Sequence, residues 1–280
     1  MVYDADYREQ SITALGTATP LVAQGADTPG AFVVPTNVTR ITEIRIHAIP
    51  GATVDTIMGF STGIHIFGGG VKLSEGWFPG PAGFIGGVAT MTAGVSDIEP
   101  QVYLTNIPVR PGGQFSIDGY MNGEDIGALH MLVEIIYDGP VVGKIVDMDY
   151  RSQDLTAANT LVTLDERFNG TAEGDMKPAY GTIGEVFVGM GAKITAGTSL
   201  PIGLAAHLSG PGLQSAGNYK FLGKGCAIND DSATLPGSVK KLERYICQIA
   251  TKPSNGIRVQ AQMIENDIGT AFAVVGFAYY

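Results

Sequence analysis

Two short blocks concentrate the carboxylate, phenol and guanidinium groups of the chain. One is Asp4-Ala5-Asp6-Tyr7-Arg8; the other is Asp147-Met148-Asp149-Tyr150-Arg151. Paired acids beside a Tyr and an Arg are residue types that can move protons. The same types make Asp–Arg contacts that fix the register of one surface on another. Each block lies at the edge of its domain, where a segment docks on a neighbour, so the contact reading is preferred. It makes Asp4, Asp6, Tyr7, Arg8, Asp147, Asp149, Tyr150 and Arg151 candidate intersubunit or interdomain residues. Lys220, Lys224, Lys240, Lys241 and Arg244 crowd one stretch of the second half. Of these, Lys240, Lys241 and Arg244 join the contact set.

Other patterns lead away from catalysis. Gly189-Met-Gly-Ala-Lys193-Ile-Thr195 lacks the spacing of a phosphate loop. The histidines His47, His65, His130 and His207 contain no His-x-His pair that sets three metal ligands on one barrel face. Asp118, Asn122, Glu124 and Asp125 cluster as calcium ligands do, but their counterparts in the second half keep one acid. Asp125 and Asp267, each followed by Ile and Gly (Gly127, Gly269), are read as turn-structural residues. No Gly-x-Ser-x-Gly elbow occurs. Cys226 and Cys247 are too few for a disulfide scaffold and are read as free thiols in the interior. No catalytic residue, cofactor or metal is expected.

The elements that position these blocks come from a tandem duplication. Residues 4–14 and 147–157 agree at seven of eleven positions, at an offset of 143. Met121–Tyr137 matches Met263–Tyr279 at 142, ending each copy on an Asp-Ile-Gly segment and an apolar strand. At the same offset His65, Gly68, Gly70, Tyr103 and Pro111 match His207, Gly210, Gly212, Tyr245 and Pro253. Two homologous domains, 1–143 and 144–280, follow.

Each copy is a series of short apolar or alternating segments bounded by Gly, Pro, Asn and Asp. Thr39–Ile46 alternates with the period of a half-buried strand, and Leu129–Tyr137 suits a strand covered on both faces. Gly68–Gly70 and Phe78–Phe84 are read as loops, Asn122-Gly123 as a hairpin turn, and Thr156–Phe168 as a weak helical pattern. The chain has 280 residues, 39 of them Gly, and only 16% charged. The fold class expected is all-β: two tandem jelly-roll-like β-sandwiches of about eight strands each.

The net charge of −10 argues against direct nucleic-acid binding, which needs clustered Lys and Arg. The first 143 residues hold 5 basic and 14 acidic side chains (5 − 14 = −9), the rest 12 and 13 (12 − 13 = −1). Unlike halves suit a head-to-tail contact between copies. No apolar run reaches the ~18 residues of a spanning helix, and no signal peptide is visible at the N-terminus.

In its tandem plan the chain resembles the double jelly-roll major capsid proteins of viruses. The resemblance covers the whole chain as an architecture and rests on no family motif. It implies a self-assembling structural subunit of a capsid, shell or tube in a virion or extracellular assembly. It further implies a homo-oligomer, as trimers or a helical or icosahedral lattice, with itself as partner and no enzymatic activity. The alternatives are a tandem carbohydrate-binding module, with Trp77-Phe78-Pro79 stacking a sugar, and a bicupin-like enzyme.

Overall fold

The computed structural model describes residues 4–23, 30–50, 58–85, 95–123, 128–167, 172–194, 200–214, 218–228, 237–265 and 269–280. Strands β1 Asp4–Ile12, β2 Thr19–Pro20, β3 Val22–Ala23, β4 Phe32–Val33, β5 Arg40–Pro50 and β6 Met58–Phe67 open the first half. It continues with β7 Trp77–Ile85, β8 Val95–Ile98, β9 Gln101–Pro108, β10 Gln114–Gly123 and β11 Leu129–Tyr137. The second half supplies β12 Asp147–Leu155, β13 Val162–Thr163, β14 Thr182–Ile194, β15 Leu200–Ser209 and β16 Tyr219–Ile228. It ends with β17 Gly237–Lys240, β18 Glu243–Ala250, β19 Arg258–Glu265 and β20 Gly269–Tyr279. Among the described residues there is no helix; 156–167, read as weakly helical, forms turns and β13.

The strands form two β-sandwiches with one topology. The sheet order β1-β11-β5-β9 recurs as β12-β20-β14-β18, and β2-β10-β6-β7 recurs as β13-β19-β15-β16. Counting eight strands in each copy, one sheet runs 1-8-3-6 and the other 2-7-4-5, a jelly roll. Even irregularities repeat: the ladder slips between Ile41 and Glu43 in β5 and between Ile183 and Glu185 in β14. Alternation fills each interior. Ile41, Ile44, Ile46 and Ala48 of β5 are buried, while Glu43, Arg45, His47 and Ile49 lie on its outer face.

Several expectations are corrected by this architecture. The two Asp-x-Asp-Tyr-Arg blocks are not edge segments but strands, each paired along its full length with the last strand of its copy. Leu129–Tyr137 is covered on one face over most of its length, alternating buried and half-buried positions as far as Ile135, after which Ile136 and Tyr137 are both buried. Its counterpart β20 is the strand covered on both. The stretch 78–84 lies within β7: a bulge between Ser61 and Gly63 takes up Gly80 and Pro81, while Pro79 stays in register opposite Gly63 and beyond the reach of β17, which pairs only with Ala82–Phe84. Asn122-Gly123 makes no hairpin: it ends β10 against Ser61 and Phe60 of β6, and β11 belongs to the other sheet. Asp125, Gly127 and Asp267 lie outside the described residues, as do the side chains of Asp4, Lys224 and Cys226; Gly269 pairs with Ile194 within β20.

The sandwiches are joined by more than the connecting chain. Gly143 N donates to Thr105 O and Asn106 N to Ile145 O, so the connection runs along β9 as a short parallel strand. The outer face of β12, β20 and β14 packs on β6 and β7, bringing Met148, Tyr150, Phe187, Val274 and Ala278 into one core cluster with Phe60, Trp77 and Phe78. Glycines permit this approach. A Cβ on Gly191 would collide with Phe60 O, and one on Gly276 would stand 2.6 Å from Pro79 Cγ. Finally, β17 leaves its own sandwich and pairs antiparallel with β7 and parallel with β8 of the other.

Gly191→Ala is therefore expected to destabilise the protein by about 1–3 kcal/mol through forced separation of two backbones. Gly203→Ala, whose added methyl would meet Ile264 at an ordinary 3.5 Å, is expected to cost much less. Chemical denaturation of both variants checks the contrast.

Candidate functional site

The richest polar cluster lies where β12 meets the loop before β7. Asp147 is fully buried. Its carboxylate accepts from the backbone N–H of Ser74 (2.6 Å), Glu75 (3.0 Å) and Gly76 (2.9 Å), and from its neighbour Met148 (2.8 Å). Tyr180 Oη donates to it at 3.2 Å. Successive N–H groups of a turn form an anion cradle, and Gly76 takes a φ of 69° that favours glycine. A first-half loop is thus held by a second-half carboxylate.

Two residues further on, Asp149 receives Arg151 Nη1 at 2.9–3.0 Å and Arg167 at 3.0 Å. Arg167 continues to Glu75 at 2.7 Å and to Glu173 at 3.7 Å. The network of alternating charge therefore crosses from one sandwich to the other. Burial and the nearby Asp149 push the Glu75 carboxyl above its usual range, and Arg167 partly offsets this.

Above the ion pairs stands an aromatic stack. The Arg167 guanidinium lies 5.1 Å from the Trp77 ring, and His65 stacks on Trp77 at 4.0 Å with the planes 5° apart. Tyr150 meets the Trp77 ring edge-on at 5.9 Å. Burial, reinforced by the Arg167 cation, lowers the His65 pKa to about 4. It is a neutral packing group at physiological pH. Among the described residues no set of three His, Cys, Asp or Glu is arranged to hold a metal ion. A cavity of about 140 Å³ beside Pro20, Leu21, Ala31 and Ile117 is smaller than the ~300 Å³ at which ligand pockets begin.

The residues singled out from sequence are divided by this geometry. Asp147, Asp149, Tyr150 and Arg151 are all buried. Asp147 and Tyr150 touch the first sandwich directly, Asp149 is linked to it through Arg167 and Glu75, and Arg151 bonds Asp149, Tyr150 O and Gly174 O within its own half. Lys240 and Lys241 reach Glu99 of the first half at 3.4 and 3.8 Å. Arg244 stays within its own sheet, paired with Glu185, whose Oε1 also accepts from Tyr280 Oη. In the first copy, Arg8 lies 3.5 Å from Asp6 and 4.2 Å from the Phe32 ring centre, Tyr7 is 45% exposed, and the Asp4 backbone pairs with Tyr137. His130 faces Glu9 at 3.3 Å. Cys247 is a free, half-buried thiol whose pKa burial pushes up to about 11. Sequence reading missed Glu75, Arg167 and Tyr180; the signal for the first was the turn Ser74-Glu75-Gly76 directly before the Trp77 strand.

A further device occurs in both copies. Tyr103 Oη donates to Pro79 O and Tyr245 Oη donates to Leu222 O, each crossing from one sheet to the edge strand of the other. Pro79 and Leu222 are equivalent, because β7 and β16 hold the same register on the equivalent histidines: His65 faces Trp77 and His207 faces Lys220. Tyr103 is fully buried and contacts Phe187 of the second half, whereas Tyr245 is only half-buried.

No family model matches the chain, and no curated protein sequence matches it. Among solved structures it is similar to PNGF-II, at 10% identity over 99% of this chain and 66% of that one, with a TM-score of 0.42. The chain thus spans just under two thirds of PNGF-II. The tandem CBM22-1–CBM22-2 domains of Paenibacillus barcinonensis Xyn10C match at 9% identity over 97% of this chain and 93% of theirs, TM-score 0.24. A structure of infectious bursal disease virus, Gx strain, matches at 12% identity over 100% of this chain and 72% of that one, TM-score 0.23.

Asp147→Ala leaves the three loop N–H groups of Ser74–Gly76 without their acceptor, so a loss of about 3 kcal/mol or more is expected in equilibrium unfolding. The His65 shift sets a pH dependence with a definite sign. Its folded pKa lies below the unfolded value near 6.5, so the unfolded chain binds the proton more readily, and stability falls as pH drops from about 6.5 to about 4. His65→Phe is expected to keep the stack and flatten that part of the stability–pH curve. Paired unfolding curves for wild type and variant across this range isolate the contribution.

Proposed function

We propose that the chain is a non-catalytic, self-assembling structural subunit of a shell, capsid or tube, in which copies associate head to tail. The observation that carries this reading is that both faces of the contact within the chain have uncovered counterparts. In the first copy the receiving strand β7 buries Trp77 and Pro79; the equivalent residues of β16, Lys220 and Leu222, are exposed, Leu222 at 59%. In the second copy the inserting face presents Tyr150, Phe187 and Gly276 to its partner sandwich, with Gly189 beneath Leu242. On the equivalent face of the first copy Tyr7 is exposed and Arg45, His47 and Glu134 are half-buried.

A surface used once inside the molecule and repeated uncovered at each end defines a heterologous contact, which closes into rings or extends without limit. Charge supports the same pairing. The first copy carries −9, and on this face two acids, Glu43 and Glu134, share one guanidinium, Arg45; the second carries −1 and offers Lys220 beside Leu222. The polar cluster around Asp147 and Arg167 supports a structural role, since Asp147 is taken up by backbone N–H groups and Tyr180, and Asp149 and Glu75 by arginines. The sugar-stacking alternative loses its aromatic platform, because Trp77 is 6% exposed beneath Arg167, His65 and Tyr150. A virion or extracellular assembly is the setting this reading proposes.

Purified protein is expected to sediment and scatter light as rings, sheets, tubes or shells of many copies. Leu222→Glu is expected to return it to single chains without lowering its unfolding midpoint. Single chains of the unmodified protein at every salt concentration and pH would overturn the reading.

A further inference from the structure

The exchange of β17 between sandwiches leaves an asymmetry. In the first copy the edge of β7 is closed by β17, with Ser238 opposite Phe84, Val239 opposite Gly83 and Lys240 opposite Ala82. In the second copy the equivalent strand β16 pairs with β15 on one side and, among the described residues, with no strand on the other. The approach to both edges is built alike. Tyr103 and Tyr245 bond the backbone at Pro79 and Leu222, and three residues further along the strand lie Ala82 and its equivalent Gly225.

The strand equivalent to β17 is β8. Their bounds, 95–98 and 237–240, differ by 142, as do those of the strands that follow, 101–108 and 243–250. Among the described residues β8 pairs with β17 on one edge and with no strand on the other. Glu99 N donates to Val239 O, so the alternation of a strand turns the backbone groups of Ile98 toward the opposite, open edge. Ile98 is the counterpart of Lys240, the residue that meets β7. Charges reverse in step. Where β17 enters the first copy, Lys241 meets Glu99 at 3.8 Å. Glu99 and Lys241 are themselves counterparts, so a β8 entering a second copy brings Glu99 to the position where the receiving sandwich carries Lys241.

We infer that β16 is a strand-acceptor edge whose occupant is β8 of another copy of this chain, added antiparallel with Asp97 opposite Cys226 and Ile98 opposite Gly225. The four strands then read β7-β17-β8-β16 across two molecules, and backbone hydrogen bonds supply a contact that exposed apolar side chains alone do not orient. This inference rests on the assembly reading above and specifies the contact by which it is made.

The register places native Cys226 across from Asp97, which allows a direct test. Asp97→Cys in a Cys247→Ser background, oxidised after assembly, is expected to give a covalent ladder of dimers and higher multiples on a denaturing gel. Adding Cys226→Ser is expected to abolish the ladder. Assemblies that form without the ladder, or a bond closed within one chain, would overturn the strand addition while leaving the assembly reading intact; single chains throughout would overturn both. Gly225→Pro provides a second readout. It removes the N–H at the open edge, so a folded variant with the unfolding midpoint of the original and no assembly is expected. Undiminished assembly of that variant contradicts the inference.

Discussion

The rest of the molecule depends on one buried carboxylate. Asp147 sits at the first residue of the second jelly roll and fills a cradle of three N–H groups offered by the first. A buried anion is tolerable only when its lone pairs are satisfied, and here backbone amides, which cannot rotate away, satisfy them. The contact fixes the start of β12 against the start of β7. Everything downstream follows from that anchor: the network from Asp149 through Arg167 to Glu75, the stack on Trp77, and the seating of the β12-β20-β14 face on β6 and β7. Neither Asp147 nor the Ser74–Gly76 loop can change alone without leaving unpaired polar groups in the interior.

Around this anchor the two copies have diverged in a way that specialises their faces. At positions where the first copy has His47, Ile49 and Glu134, the second has Gly189, Gly191 and Gly276. Removing side chains on one copy let its sheet approach another backbone; keeping charge on the other left its face hydrated. The same divergence explains why β20 is apolar almost throughout, whereas β11, its counterpart, alternates. The former lies between two cores and the latter between one core and water.

Much of this was legible in the sequence because it is written locally. Repetition exposed two copies, and alternation over Thr39–Ile46 exposed a half-buried strand. The all-β class followed from short apolar runs between glycines and prolines. What was not legible depends on partners distant along the chain. Pro79 and Pro81 suggest a loop until a bulge and an edge position relieve both of the need to donate. Thr156–Phe168 carries a faint helical period that β13 and the turns beside it override. Asp-x-Asp-Tyr-Arg signals a contact, but whether that contact is buried or open depends on which sandwich lies opposite; Tyr150 is covered and Tyr7 is not. Glu75, Arg167 and Tyr180 form a site only because three separate segments converge on β12.

The account stands or falls on whether copies meet head to tail through unlike faces. Cross-linking mass spectrometry on a mixture of isotopically heavy and light chains, linked between amines and carboxylates, measures this directly. The account predicts heavy–light hybrid peptides joining the Glu43–Glu134 face of one copy to the Lys220 and Lys241 region of another. Hybrids linking only first half to first half, or second to second, would show a symmetric contact and contradict it, as would the absence of hybrids.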